Sequence, residues 1–149
     1  MSLSAWLENG WLLEHVSSPQ EISHLLDLVG RDLADCRSAG LSRDWRFNIA
    51  YNAALQCAKT ALAASGYRAA KGSHHYRAIR SLEFTIGADR KTLWSLDAFR
   101  KKRNVSEYNH AGSITDKELD EMIALAGRLR REVERWLRAK HPELMANPG

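Results

Sequence analysis

Pro19 and Pro142 bracket a long stretch that contains no proline, and the third and last proline, Pro148, lies close to the chain's end. Proline inside a helix costs ~3 kcal/mol, because it lacks an amide donor and its ring clashes with the preceding turn. The interval between the two is therefore open to helix, and start and stop signals divide it. Ser18-Pro-Gln-Glu21 joins a serine cap, a proline at the first helical position and a glutamate at the third, and Gly40 lies beyond the last turn. These signals predict a helix over about 19–39. Its apolar set, Ile22, Leu25, Leu26, Val29, Leu33 and Cys36, recurs every three or four residues and makes one stripe. Ser42 caps a second helix to about Ser65, before Gly66. Here Trp45, Ile49, Ala53, Cys57 and Ala61 are expected to face inward, flanked by Ala50, Ala54, Ala58 and Leu62.

Ser73 is the expected cap of a third helix, His74 to Ile86, closed by Gly87. Asp89 starts a fourth, in which Leu93, Leu96 and Phe99, with Trp94, lead into the block Arg100-Lys101-Lys102-Arg103. Thr115-Asp-Lys-Glu118 is a second capping box and opens the longest helix, to about Lys140, which ends before His141-Pro142. No stretch alternates convincingly enough to predict a strand. The expected fold is all-α: an up-and-down bundle of four to five helices forming a single domain over 1–149. Residues 1–17 read as an N-terminal extension, with Ser4 to Asn9 as an extra turn, and 142–149 as a flexible tail.

Composition narrows the functional classes. A chain of 149 residues, 44% hydrophobic and 27% charged, reads as one globular domain rather than a disordered or fibrous protein. Cys36 and Cys57 make no Cys-x-x-Cys pair, so neither a zinc site nor a disulfide framework is indicated. Glu8 and Glu14 interrupt the apolar start, which argues against a signal peptide, and no apolar run approaches the ~20 residues that cross a bilayer. A cytoplasmic protein without membrane contact is expected. His74 and His75 point about 100° apart on a helix and make a poor metal pair. They are expected to cap the third helix or touch a partner. Single, scattered glycines offer no phosphate-cradling loop and no case for a nucleotide hydrolase, and no metal and no cofactor is expected. His15, His24 and His141 look incidental, and Arg31-Asp32 and Arg43-Asp44 read as surface ion pairs.

A formal net charge of +4 favours a polyanionic partner, and the positive charge is clustered. Arg100 to Arg103 form an unbroken block, while Arg128, Arg130, Arg131, Arg135, Arg138 and Lys140 spread along the last helix as a solvated face. The first block runs into Phe99-Arg-Lys-Lys-Arg-Asn-Val-Ser-Glu-Tyr-Asn-His-Ala-Gly112, which sets Arg103 and Asn104 ahead of His110. Arginine offers a charged planar fork to a phosphate, and histidine titrates near neutrality. The segment resembles the Arg-x(4–6)-His signature of the HEPN superfamily, all-helical domains that include metal-independent ribonucleases and toxins. The stretch Asn48 to Lys59, followed by Gly66-Tyr67, also resembles the second core helix and turn of HEPN relatives.

The resemblance implies a metal-independent endoribonuclease of toxin–antitoxin type. In it His110 takes the 2′-hydroxyl proton, Arg103 neutralises charge on the phosphate, and Asn104 orients the phosphate or the imidazole. Arg100, Lys101, Lys102 and Tyr108 would bind phosphate or RNA. It further implies a homodimer with the two motifs side by side, and an antitoxin partner such as a minimal nucleotidyltransferase. His110 is followed by Ala111 and Gly112 where many active members carry an aromatic residue. The resemblance is thus equally open to a noncatalytic HEPN module that binds RNA, a nucleotide or a partner protein.

Overall fold

The structure, a computed structural model, describes residues 2–72, 74–108 and 112–145, with side chains outside 105–108. Its helices are α1 (Leu3–Glu8), α2 (Pro19–Asp35), α3 (Arg43–Ala64), α4 (His74–Ser81), α5 (Arg90–Tyr108) and α6 (Asp116–Lys140). Two short strands, β1 (Leu12–Glu14) and β2 (Tyr67–Ala69), pair antiparallel, and a 3-10 turn follows at Pro142–Leu144. The described residues are mostly helical, as expected.

The capping signals act as written. Ser18 accepts a hydrogen bond from the Glu21 amide and Ser42 one from the Trp45 amide. Thr115 and Glu118 satisfy each other's backbone amides at 3.0 and 3.1 Å, which fixes the start of α6. From there Leu119, Met122, Ala126, Leu129, Val133 and Leu137 run inward as one buried stripe. The predicted Ser73 cap lies outside the described residues.

α3 is the axis of the fold, packed by α2 and α6 and, towards its other sides, by α4 and α5. It is buried nearly all round, through Ala50, Ala53, Ala54, Ala58 and Ala61 together with Phe47, Tyr51 and Cys57. Small side chains let neighbouring backbones come close, and this is why a helix so poor in large hydrophobes can be central. The predicted inward stripe is wrong in its first turn, where Trp45 is 59% exposed. Phe47 and Tyr51 take the inward positions instead. A helix buried on every side has no single stripe, so a phase drawn back from Ala53 and Ile49 misplaces its first turn. Trp94 likewise stands out to solvent, at 73% exposure.

Two further expectations are corrected. Strands do occur: Leu12 pairs with Ala69, Leu13 with Arg68 and Glu14 with Tyr67, and the ladder continues through His15 to Gly66 and Ala70 to Trp11. Three residues per strand are too few for alternation to register in the sequence. Around this ladder Trp6 and Leu12 are buried with Leu62, and the Trp6 ring meets Phe84 edge-on at 5.3 Å. The third helix is also shorter than predicted. The Ser81 hydroxyl donates to the Ala78 carbonyl at 2.6 Å, and the amides of 82–84 bond three residues back, to the carbonyls of 79–81, in tight turns instead of continuing the helix. Gly87, at φ +70°, reverses the chain, and the Asp89 carboxylate then caps α5 at the Thr92 amide. That amide holds the Asp89 carboxyl below its ordinary value.

Among the described residues no helix is long and apolar enough to cross a membrane. Because α3 depends on close approach, Ala58→Leu should lower stability by about 1–3 kcal/mol through overpacking. Trp45→Ala should change it by no more than about 0.5 kcal/mol, both read by urea denaturation.

Candidate functional site at the junction of α3, α4 and α5

The basic block lies on the C-terminal half of α5, and the helical step fans it out in several directions. Phe99 and Arg103, four residues apart, both turn towards α3. The Phe99 ring meets Phe47 at 5.7 Å, and the Arg103 Nε donates to the Asn48 Oδ1 at 2.6 Å. The same guanidinium stands 5.4 Å from the centre of the Tyr51 ring. Arg103 is thus held in the wall of α3, half-buried, with its plane set by an amide and an aromatic face.

Its neighbours point elsewhere. Arg100 donates from Nε to Asp97 at 2.9 Å, and Lys101 reaches the other oxygen of Asp97 at 3.4 Å. Lys102 pairs with Glu118 of α6 at 3.5 Å. Asn104 is exposed. α5 continues to Tyr108, whose side chain lies outside the described residues, as does the whole of His110. The described chain resumes at Gly112, at φ +80°, whose amide donates to the Asp44 carboxylate on α3 at 2.6 Å. That contact corrects the expected Arg43-Asp44 pair, because Arg43 turns to Asp116 at 3.4 Å. Arg31 and Asp32 do pair, at 3.2 Å, but not as the expected surface pair, since Asp32 is buried and also accepts from Asn52 of α3.

A further group stands beside these residues that sequence spacing did not connect with them. His74 and His75 begin α4, and their rings meet edge to face at 4.3 Å. The His75 ring lies 6.5 Å from the Tyr51 ring, which also carries Arg103. Tyr76, next along α4, lies under the Arg100 guanidinium at 5.4 Å. His74, His75, Tyr76 and Arg100 line an open cleft of about 450 Å³. Among the described residues no group of three histidine, cysteine or acidic side chains converges as metal ligands.

The electrostatics of the junction follow from burial and an excess of positive charge. His75 is pushed down to about 4, first by burial and then by His74, Lys59, Arg103 and Arg100 around it. Its imidazole is neutral at pH 7. Tyr51 is pushed up to about 12 by burial, which outweighs the opposing pull of Arg103 and Arg100. The Tyr51 hydroxyl is buried and has no hydrogen-bond partner among the described residues. Such a site, with a fixed guanidinium, neutral imidazole and further cations at the edge of an open cleft, is suited to hold a phosphate and to exchange a proton near it.

Asn48 and Tyr51 fall in the stretch already singled out on α3, but nothing in their spacing linked them with Arg103. The connection is made only by packing α5 against α3. Comparison with known proteins finds no matching family profile, no matching curated protein and no matching solved structure.

The sign of one pH effect is fixed by His75. With a folded value of about 4 against ~6.5 in the unfolded chain, the unfolded state binds more protons between these limits. The stabilisation is therefore present above about pH 6.5 and is lost as pH falls towards 4. In thermal melts, His75→Phe should show a shallower decline over that interval than the unsubstituted protein, and equal slopes would refute the assignment.

Proposed function

We propose that this chain is a HEPN-like protein that cleaves RNA without a metal ion, with Arg103, Asn104 and His110 as its reacting set. The observation that carries the reading is the seating of Arg103. A guanidinium already fixed by Asn48 and Tyr51 at the edge of a positively charged junction is oriented before a phosphate arrives, so little reorganisation remains for binding. The up-and-down helical order of a HEPN-like bundle is part of the proposal.

The chemistry is internal transesterification. Neutral His110 takes the proton from a ribose 2′-hydroxyl as that oxygen attacks the adjacent phosphorus. Arg103 compensates the charge growing on the nonbridging oxygens, and Asn104 orients the phosphate or the imidazole. The bond from phosphorus to the 5′-oxygen breaks, leaving a 2′,3′-cyclic phosphate on one fragment and, after protonation, a 5′-hydroxyl on the other. A second proton-transfer group is required for that last proton, and the proposal assigns it to the motif of a partner protomer in a homodimer. A toxin of this kind would act in the cytoplasm and be restrained by an antitoxin such as a minimal nucleotidyltransferase.

A noncatalytic reading is favoured by a different observation. Arg100 and Lys101 share Asp97, Lys102 is paired with Glu118, and Arg103 already donates to Asn48, which suits a surface that docks RNA, a nucleotide or a protein partner without reacting. The two readings separate in one assay. With a chelator present, the purified protein should cleave RNA, and His110→Ala, with helicity unchanged, should lose about 10²–10⁴-fold in rate. A folded wild type that binds RNA with a steep salt dependence and cleaves none would establish the noncatalytic module instead.

A further inference from the structure

Two cavities share His74 in their walls. Beside the open cleft lies a smaller and more enclosed slot of about 250 Å³, and His74 lines both. The slot is apolar within, through Leu25 of α2, Leu62 of α3 and Ala69 of β2, with the Tyr67 ring among its walls. Lys59 and Glu21 also line it. Small-molecule sites commonly span ~300–1,000 Å³, so the slot suits one ring system of a ligand whose remainder extends into the cleft.

The two halves ask for different chemistry. The cleft carries Arg100, with Lys59 and Arg103 also close enough to act on His75, and the Asp97 carboxylate on α5 is already shared by Arg100 and Lys101. That end suits an anion. In the slot, His15 Nε2 lies 2.7 Å from Glu21 Oε1 and 2.9 Å from Oε2, which fixes the carboxylate in place. A carboxylate has more acceptor positions than one imidazole fills, so Glu21 can still accept from an amino group. Amino groups on a ring are what adenine, cytosine and guanine present and uracil lacks, and Tyr67 offers an aromatic ring against which a base can lie.

We propose that slot and cleft form one site for a nucleoside phosphate, with an amino-bearing base in the slot at Glu21 and Tyr67 and its phosphate among His74, His75 and Arg100. The nucleotide is either free or a unit of an RNA strand, and its place in a cleaved strand is the one point that rests on the function proposed above. His15, earlier read as incidental, is here a positioning residue that holds Glu21.

Calorimetric titration of the full chain with adenosine 5′-monophosphate, adenosine and inorganic phosphate tests the site. The nucleotide should bind at least tenfold more tightly than either fragment, and more tightly than uridine 5′-monophosphate, which lacks the amino group. Ala69→Phe, which fills the slot, should bring the nucleotide down to the affinity of inorganic phosphate, and Arg100→Gln should bring it down to that of adenosine. On the unsubstituted protein, the nucleotide should shift the imidazole resonances of His74 and His75 and leave those of His24 and His141 unmoved, a reading independent of any variant's folding. Equal affinities for nucleotide and fragments, no binding at all, or unmoved His74 and His75 signals would overturn the proposal. A riboadenylate hexamer that competes with the mononucleotide assigns the site to RNA, and one that does not compete assigns it to the free nucleotide. Chelator-resistant cleavage by a protein that binds no mononucleotide would remove this site and leave the proposed function standing. Nucleotide binding without cleavage would do the reverse.

Discussion

Close approach of helices to the alanine-rich surface of α3 is the constraint from which the other features follow. Five alanines between Ala50 and Ala61 are buried, and α2 and α6 lie against the helix that carries them. Because α3 is enclosed, its few large or polar side chains become fixed points for its neighbours. Phe47 receives Phe99, Asn48 receives Arg103, and Asn52 receives the buried carboxylate of Asp32. Bulkier residues at the alanine positions would push the neighbouring helices outward and loosen the packing that holds these fixed points in place.

Local signals in the sequence were legible where they act over one turn. The Ser18, Ser42 and Thr115 caps gave correct helix starts, and the spacing of Leu119, Met122, Leu129, Val133 and Leu137 gave the buried side of α6. Reading failed where a long-range partner decides the outcome. Leu12 to Glu14 is a strand only because Tyr67 to Ala69 lies beside it, and Trp45 faces water because Phe47 and Tyr51 fill the inward positions of α3. The end of α4 is a run of tight backbone turns after Ser81, which periodicity does not register.

The candidate site shows the same division. The concentration of charge at Arg100 to Arg103 is plain in the sequence, but its distribution is not, since four consecutive helical residues face different ways and find different partners. His74 and His75 gave no signal through spacing, because what matters about them is the approach of Tyr51 from another helix and the cations around them. A depressed imidazole there is a direct result of placing an ionisable ring, partly desolvated, among groups of one sign. The same surroundings that discourage a proton would welcome an anion, so charge neutralisation by a ligand and protonation of His75 are coupled.

The pairing of β1 with β2 also bears on the order in which the molecule can be assembled. Leu12 meets Ala69 only after all of α2 and α3 has been made, so this ladder closes a long loop, and contacts of that kind form slowly because the chain's entropy must be surrendered first. α2 and α3, joined by a short connection, can associate early as a local hairpin of helices. His15 is anchored to Gly66 directly beyond the ladder and to Glu21 at the start of α2. The wall formed by Tyr67 and Ala69 therefore comes together with the ladder, as a late kinetic event. A chain still emerging from the ribosome would hold the α2–α3 hairpin before it held a completed cavity beside α4, and α6, which encloses α3, would arrive last.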